Sequence, residues 1–436
     1  MRKITTPLLI FLLASAAFAQ VKPTSITQLD SGLTVILQED HTTELVGIEI
    51  WIKAGIRTEN ATNNGISHFI EHLVFAGTSK RQAGQMDCEM ESVGATLDAF
   101  TGADYTHFGA TVDSQFLSKA LEIFADAIND SQFREEDIER ERRVILDEIA
   151  RKQSNPRLLS RALLAERIYG KHPYSMPLEG TPEIVKKLTR ADLLEYYRQH
   201  YIPSKMAVVL VGDFESKNAL AEIDKLFQKS ANPKPPNSQA VDIEPLSGQI
   251  NETIKARFSG DYLAIGFPGP RNSDARDVCA ADVLADYFGS GHRSWISEEL
   301  RAKTALAGDA NVDFVTQRDQ GLISFVVSGT PDDLPKIKDA IMNKLAEIGS
   351  RGLSSAELEL AKRTTLGQSA YELETVSGRA NAYGFYFALS DAALADTYQA
   401  NVKSLTNADI IRTAGKYLNP DRAVILTLGP NAEASK

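Results

Sequence analysis

His68, Glu71 and His72 are the residues whose types and spacing could do chemistry. They stand in Gly65-Ile66-Ser67-His68-Phe69-Ile70-Glu71-His72-Leu73-Val74, where apolar residues recur at helical spacing. Four residues advance a helix by about 400°, which brings His68 and His72 onto one face a turn apart, with Glu71 between them in angle. Two imidazoles aimed at one point suit a zinc ion, and a carboxylate beside them suits a base acting on water. The order H-x-x-E-H is the inverted spelling of the commoner H-E-x-x-H. Paired histidines also occur as surface residues or as a satisfied core pair. With seven histidines in the chain this spacing rarely arises by chance. A polar trio set among Phe69, Ile70, Leu73 and Val74 also needs partners, which a metal provides.

Two histidines do not hold zinc alone; a third protein ligand is expected, with water in the fourth position. The stretch Asp137 to Ile149 has an apolar helical face centred on Ile145, with Ile138 and Ile149 beside it. On a helical wheel Glu141 and Glu148 fall within about 60° of Ile145, while Glu139 and Asp147 point away. Carboxylates on a buried-facing side need a cation or a donor. Pairing with Arg140 and Arg142 on a solvated charge face is the competing account, and spacing does not choose between Glu141 and Glu148 as the ligand.

The elements that must position these residues come in two copies. Leu188-Thr189-Arg190-Ala191-Asp192-Leu193 leads to Tyr201-Ile202-Pro203 and then Ala207 to Gly212. Leu405-Thr406-Asn407-Ala408-Asp409-Ile410 leads to Leu418-Asn419-Pro420 and then Val424 to Gly429, each matched pair 217 residues apart without a gap. Both read as capped helix, proline turn, buried strand and glycine stop, so the chain is two copies of one domain. The Pro-rich stretch 229–245 reads as a semi-rigid linker between domains at 20–228 and 246–436. In the first copy, Leu33–Leu37 and Val46–Ile52 read as strands and Ala95–Phe100 with Tyr105–Val112 as a hairpin around Gly102. Helices are expected at about 113–129 and 134–152. Strands and helices do not alternate steadily, which predicts an α+β fold: two homologous α/β-sandwich domains, each a mostly antiparallel sheet packed with helices.

Residues 1–19 combine a basic start, a short apolar run and Ala17-Phe18-Ala19, the pattern of a signal peptide cut after Ala19. A periplasmic or secreted protein with no remaining membrane segment is therefore expected. The formal charge of −11 falls to −13 when Arg2 and Lys3 leave, which argues against nucleic acid as a partner. Cys88 and Cys279, the only cysteines, are expected to be unpaired buried hydrophobes rather than a disulfide.

The motif, a Glu 76 residues after its second histidine, Phe75-Ala76-Gly77-Thr78, Glu139-Arg140-Glu141-Arg142, His172-Pro173-Tyr174-Ser175 with Gly180, and the repeat together resemble the insulinase, pitrilysin and mitochondrial processing peptidase superfamily. The resemblance spans nearly all of the chain after residue 19. It implies a zinc endopeptidase acting on peptides or small unfolded proteins, with one Zn2+ per chain. It makes Glu148 the third ligand, Glu71 the general base and Glu141 the supporting carboxylate. It implies a short-chain form in which two subunits close into a clam-shaped chamber. Substrate would add as a strand to Ala95–Thr101, with contacts at Asp98 and Ala99; this chain has Asp98-Ala99 where the family has Asn-Ala, and aspartate accepts but does not donate as an amide does. Active relatives carry an arginine and, seven residues later, a tyrosine that reach substrate from the opposite half. Arg301 matches the arginine, but Gly308 stands at the tyrosine position. The implied partner is a related subunit supplying the Arg/Tyr pair in a heterodimer, with a homodimer as the other arrangement. Rival functions are a processing protease for one precursor, a non-catalytic assembly subunit, and a metal store, for which Glu71 has no use.

Overall fold

The strand Met206–Gly212 is buried at every position, so the sheet that holds it must be covered on both faces. How that happens defines the architecture. The computed structural model describes residues 21–227, 243–256 and 258–431; the expected leader and most of the expected linker lie outside the described residues.

The first half runs β1 (Ser25–Gln28), β2 (Thr34–Glu39), β3 (Leu45–Ile52), α1 (Ile66–Val74), α2 (Gln85–Glu91), β4 (Asp98–Thr101), β5 (Thr106–Asp113), α3 (Leu117–Asp130), α4 (Glu135–Gln153), α5 (Pro156–Tyr169), α6 (Pro182–Val185), α7 (Arg190–His200), β6 (Met206–Gly212) and α8 (Ser216–Leu226). The second runs β7 (Ile250–Ala256), β8 (Asp261–Pro268), α9 (Ala275–Gly289), a π-helical segment (Ile296–Lys303), β9 (Ala310–Val315), β10 (Leu322–Gly329), α10 (Leu334–Arg351), α11 (Ser355–Glu372), α12 (Val376–Leu389), α13 (Leu394–Ser404), α14 (Asn407–Tyr417) and β11 (Val424–Pro430).

The strands form two sheets, ordered β1-β2-β6-β3-β5-β4 and β7-β11-β8-β10-β9. Each contains one parallel pair, β2 with β6 and β7 with β11, and is otherwise antiparallel. The fold is the α+β, two-sheet architecture expected from the sequence. The repeat is exact at α7 and α14, whose first residues Arg190 and Asn407 lie 217 apart. Both open with a Thr–Asp capping box, Thr189–Asp192 and Thr406–Asp409.

One face of each sheet packs on helices of its own half, giving the two largest apolar cores. The other faces are covered by exchange. Val376, Ala380, Tyr383 and Phe387 of α12 lie on Ile36, Trp51, Val209 and Val211 of the first sheet. Leu164, Ile168 and Tyr169 of α5 lie on Ala264, Val326, Val424 and Leu426 of the second. Gly384 permits the α12 crossing, since a Cβ there would overlap the Trp51 indole. The two halves therefore bury each other's sheets, an arrangement that the single crossover of a linker does not announce. No helix among the described residues is long and apolar enough to cross a membrane.

Candidate metal centre

Helix α1 owes its placement to a buried carboxylate that precedes it. Glu59 accepts hydrogen bonds from the backbone N–H groups of Gly65 (2.8 Å) and Ser67 (2.9 Å) and from Nδ2 of Asn64 (2.9 Å). These satisfy donors left free at a helix start and place negative charge at the positive end of the helix dipole. Burial pushes the Glu59 pKa up against those hydrogen bonds. Gly65 takes φ +91°, and a Cβ there would sit 2.6 Å from the Glu179 carbonyl oxygen, so this turn closes only on glycine. Ile66, Phe69, Ile70, Leu73 and Val74 are buried. His68 is buried at one edge of that face, and Glu71 and His72 are half-buried beside it.

Helix α4 anchors itself through buried Ile138, Ile145 and Ile149, as the wheel predicts. Glu141 and Glu148 are half-buried on the side facing α1, while Glu139 and Asp147 are exposed. The Oε2 atom of Glu148 lies 3.6 Å from Nε2 of His68 and 3.7 Å from Nε2 of His72. The two imidazoles meet edge to face, with centroids 4.7 Å apart and planes at 79°. Three ligand atoms from His68, His72 and Glu148 thus gather within 4.8 Å of one another. Separations of 3.6 and 3.7 Å are too long for hydrogen bonds. Two ligands held about 2.1 Å from one tetrahedral ion would lie about 3.4 Å apart, so the donor set, chemistry and spacing fit zinc.

Glu141 serves a different atom. Its Oε2 lies 3.1 Å from Nδ1 of His72, and its Oε1 accepts from Nε of Arg140 at 2.9 Å. That leaves Nε2 of His72 free to face Glu148, the arrangement by which a carboxylate orients a ligating histidine. Glu141 is therefore a positioning residue. The expected arginine competition reaches Glu141 through Arg140, but Arg142 turns away to Glu139 (3.1 Å) and the Leu188 carbonyl (2.9 Å). The hydrogen bond to His72 and that from Arg140 hold Glu141 below the usual carboxylate range despite burial. Burial also works against charge on His72, but Glu141 and the charges of Glu148 and Glu71 outweigh it and raise the pKa. Burial lowers His68 to about 3, so its imidazole stays neutral, with a lone pair to give.

Glu71 points toward the sheet, where Thr101, the last residue of β4, donates its hydroxyl to Oε2. Burial raises the Glu71 pKa, the nearby Glu148 charge adds to this, and the Thr101 hydrogen bond opposes it. An open cleft of about 520 Å³ runs past Glu71, His72, Ala99 and Glu141. β4 is the outermost strand of its sheet, pairing only with β5, so its other edge is available for an added strand. Asp98 is exposed on that strand and Ala99 is half-buried.

Arg301 is not brought to this site. It lies in the π-helical segment of the second half, exposed, and both Nε (2.7 Å) and Nη2 donate to the carbonyl of Gly308, the residue at the expected tyrosine position. Among the described residues its contacts are with Gly308 and Asp309, not with α1 or β4. The cysteines are both free, and Cys88 is exposed on α2 rather than buried; only Cys279 fills the expected hydrophobic role. Sequence reasoning missed Glu59 and the Thr101–Glu71 contact. Thr101 ends the strand named from sequence, but nothing in its spacing pairs it with Glu71.

A sequence profile described as Insulinase (Peptidase family M16) matches residues 34–182, and one described as Peptidase M16 inactive domain matches residues 187–365. The chain belongs to the M16 peptidase family. It is 28% identical to an uncharacterized zinc protease of Rickettsia felis over 93% of this chain and 98% of that one. It is 26% identical to a probable mitochondrial-processing peptidase subunit beta of Arabidopsis thaliana, over 93% of this chain and 78% of that one. Among solved structures, a protease from Helicobacter pylori superposes with a TM-score of 0.85 at 25% identity, covering 94% of this chain and all of that one (100%).

Proposed function

We propose that this chain is a zinc-dependent endopeptidase that cleaves peptides or small unfolded proteins. The observation that carries the reading is the convergence of His68, His72 and Glu148 on one point, with Glu71 beside it in an open cleft. Bound there, one zinc ion would bring the pKa of a bound water toward neutrality and polarise the scissile carbonyl. Glu71 takes the proton from the attacking water and returns it to the leaving amine. Thr101 holds the Glu71 carboxylate in place, and Glu141 fixes the ring of His72. β4 receives the substrate backbone as an added strand, with Asp98 and Ala99 facing it.

Glu71→Gln tests the mechanism. Zinc content should stay at one per chain while peptide hydrolysis falls roughly 10²- to 10⁴-fold, the usual worth of a general base. Undiminished cleavage would remove Glu71 from the mechanism.

A second element of the proposal is the partner. Gly308 brings no hydroxyl, and Arg301 is folded back onto its carbonyl. That supports a heterodimer in which a related subunit contributes the Arg/Tyr pair, closing with this chain into a chamber. Strong cleavage by the purified chain alone would favour the homodimer. The pattern of residues 1–19 supports export with cleavage after Ala19 and action in the periplasm or outside the cell; amino-terminal sequencing of the mature protein decides it.

A further inference from the structure

His172-Pro173-Tyr174-Ser175 takes no part in the proposed chemistry, yet it grips the hairpin that carries the substrate strand. That hairpin turns at residues 102–105, between the last residue of β4 and the first of β5. Asp104 is buried in the turn. Its Oδ1 accepts from the Tyr174 hydroxyl at 2.5 Å, and its Oδ2 accepts from the backbone N–H of Arg318 at 3.0 Å. Arg318 belongs to the turn between β9 and β10 of the second half. The next backbone N–H of that turn, from Asp319, donates to the same Tyr174 hydroxyl at 3.4 Å. One phenol therefore joins a turn of the first half to a turn of the second.

The rest of the motif fixes both ends of this joint. Oδ2 of Asp319 accepts from Nε of Arg57 at 2.6 Å and lies 3.3 Å from Nε2 of His172. Nδ1 of His172 accepts from the backbone N–H of Tyr174 at 3.2 Å, so Nε2 carries the ring proton and faces Asp319. Pro173 opens the single helical turn, Pro173–Ser175, that sets this spacing. Arg57 also donates its backbone N–H to the Ala103 carbonyl at 2.8 Å, so the hairpin turn is held by the segment after β3 as well as by the second half. Tyr169 ties in once more, donating to Oε1 of Gln317 at 2.6 Å. β4 needs such an anchor. It has four residues and pairs only with β5. A short strand with one free edge frays unless its ends are tied down. A peptide that adds to a strand already held still has less ordering to impose.

We propose that Asp104 and Tyr174 are positioning residues for peptide binding, a latch through which the β9–β10 turn of the second half holds the β4 edge strand in place. The latch rests on the peptidase reading for what it positions. It gives the second half a part in substrate binding without any contact with substrate. Tyr174→Phe removes the shared hydroxyl and keeps the ring. Asp319→Asn weakens the same joint from the second half, at a side chain only half-buried, and serves as the companion variant.

Hydrogen exchange read by mass spectrometry on the zinc-loaded chain tests the latch without substrate. Tyr174→Phe should speed exchange roughly tenfold across residues 98–106 and leave α1, α4 and the zinc content as in the unaltered chain. Asp319→Asn should speed the same segment by a smaller factor. With quenched fluorescent nonapeptides of mixed sequence, Tyr174→Phe should raise the apparent KM roughly tenfold while kcat falls by no more than about threefold. Acceleration spread evenly over the chain, or unchanged exchange at residues 98–106 in both variants, would overturn the latch. So would a lowered kcat beside an unchanged KM, the mark of lost folded protein. Failure of the unaltered chain to cleave any of the peptides would count against the peptidase reading, and the exchange pattern would then decide the latch by itself.

Discussion

The two halves of this molecule build the same layers and fill one position differently. α1 lies between β3 and β4, and α4 follows α3; in the second half α9 lies between β8 and β9, and α11 follows α10. Across α9 and α11 the polar contacts are closed. The Thr365 hydroxyl donates to Asp286 at 2.6 Å and Tyr287 to Glu357 at 2.9 Å. Across α1 and α4 the imidazole nitrogens stop 3.6 and 3.7 Å short of Glu148. Closed hydrogen bonds hold two helices together; convergent lone pairs left a short distance apart hold a cation. Among the described residues only the first half gathers such a group. The architecture is shared, and the chemistry lives in which side chains one helix pair presents.

The largest expected effect comes from removing that difference. His72→Ala or Glu148→Gln should lose bound zinc and at least about 10³-fold in peptide hydrolysis, both read on one purified sample by metal analysis and assay. Wild-type metal content in either variant would place the ion elsewhere.

Glu141→Gln should act more gently, weakening zinc affinity roughly 10- to 100-fold in a competitive chelator titration while the fold is kept. It removes the acceptor that orients His72 and leaves the ligand in place.

Thr101→Val sharpens the role of Glu71. The Thr101 hydrogen bond lowers the Glu71 pKa, so its loss raises it further. The base must be ionised, so activity falls as pH drops through that pKa. The acid limb of the kcat/KM profile should therefore move to higher pH, with kcat down roughly tenfold. An unmoved acid limb would separate Thr101 from the base.

The smallest effect belongs to the second half. Burial raises Asp282 to about 7, with the charges of Asp286 and Glu372 adding to it and the Tyr398 hydroxyl opposing it. A carboxyl whose folded pKa lies above its unfolded value binds its proton more tightly when folded. Stability therefore declines as pH rises from about 4 to about 7. Asp282→Asn should flatten that slope by of order 1 kcal/mol in denaturant titrations at pH 5 and pH 8, without altering hydrolysis. A change in activity would tie the second half to the chemistry more closely than the comparison allows.

Local periodicity carried much of this in the sequence. Spacing of four and seven residues is enough to put His68 with His72, and Glu141 with Glu148, on shared helical faces, because helix geometry is local. The repeat was equally visible, since α7 and β6 recur as α14 and β11 with the same caps. What depends on distant segments was not. Which of the two glutamates faces both Nε2 atoms depends on how α4 docks on α1. The exchange of α5 and α12 depends on strands such as β6 being apolar on both faces, which says that a cover is needed but not whose. Cys88 was misread for a related reason: a small apolar side chain reads as core, but α2 is short and buries only Met86 and Met90. Glu59 escaped notice because a carboxylate capping a helix six residues downstream leaves no local pattern.

Anomalous diffraction from crystals of the zinc-loaded chain, collected on either side of the zinc absorption edge, addresses the central claim without recourse to activity. The account predicts one strong peak about 2.1 Å from Nε2 of both His68 and His72 and from a carboxylate oxygen of Glu148, with Glu141 still on Nδ1 of His72. A peak bound by other residues, or Glu148 outside the coordination sphere, would contradict it.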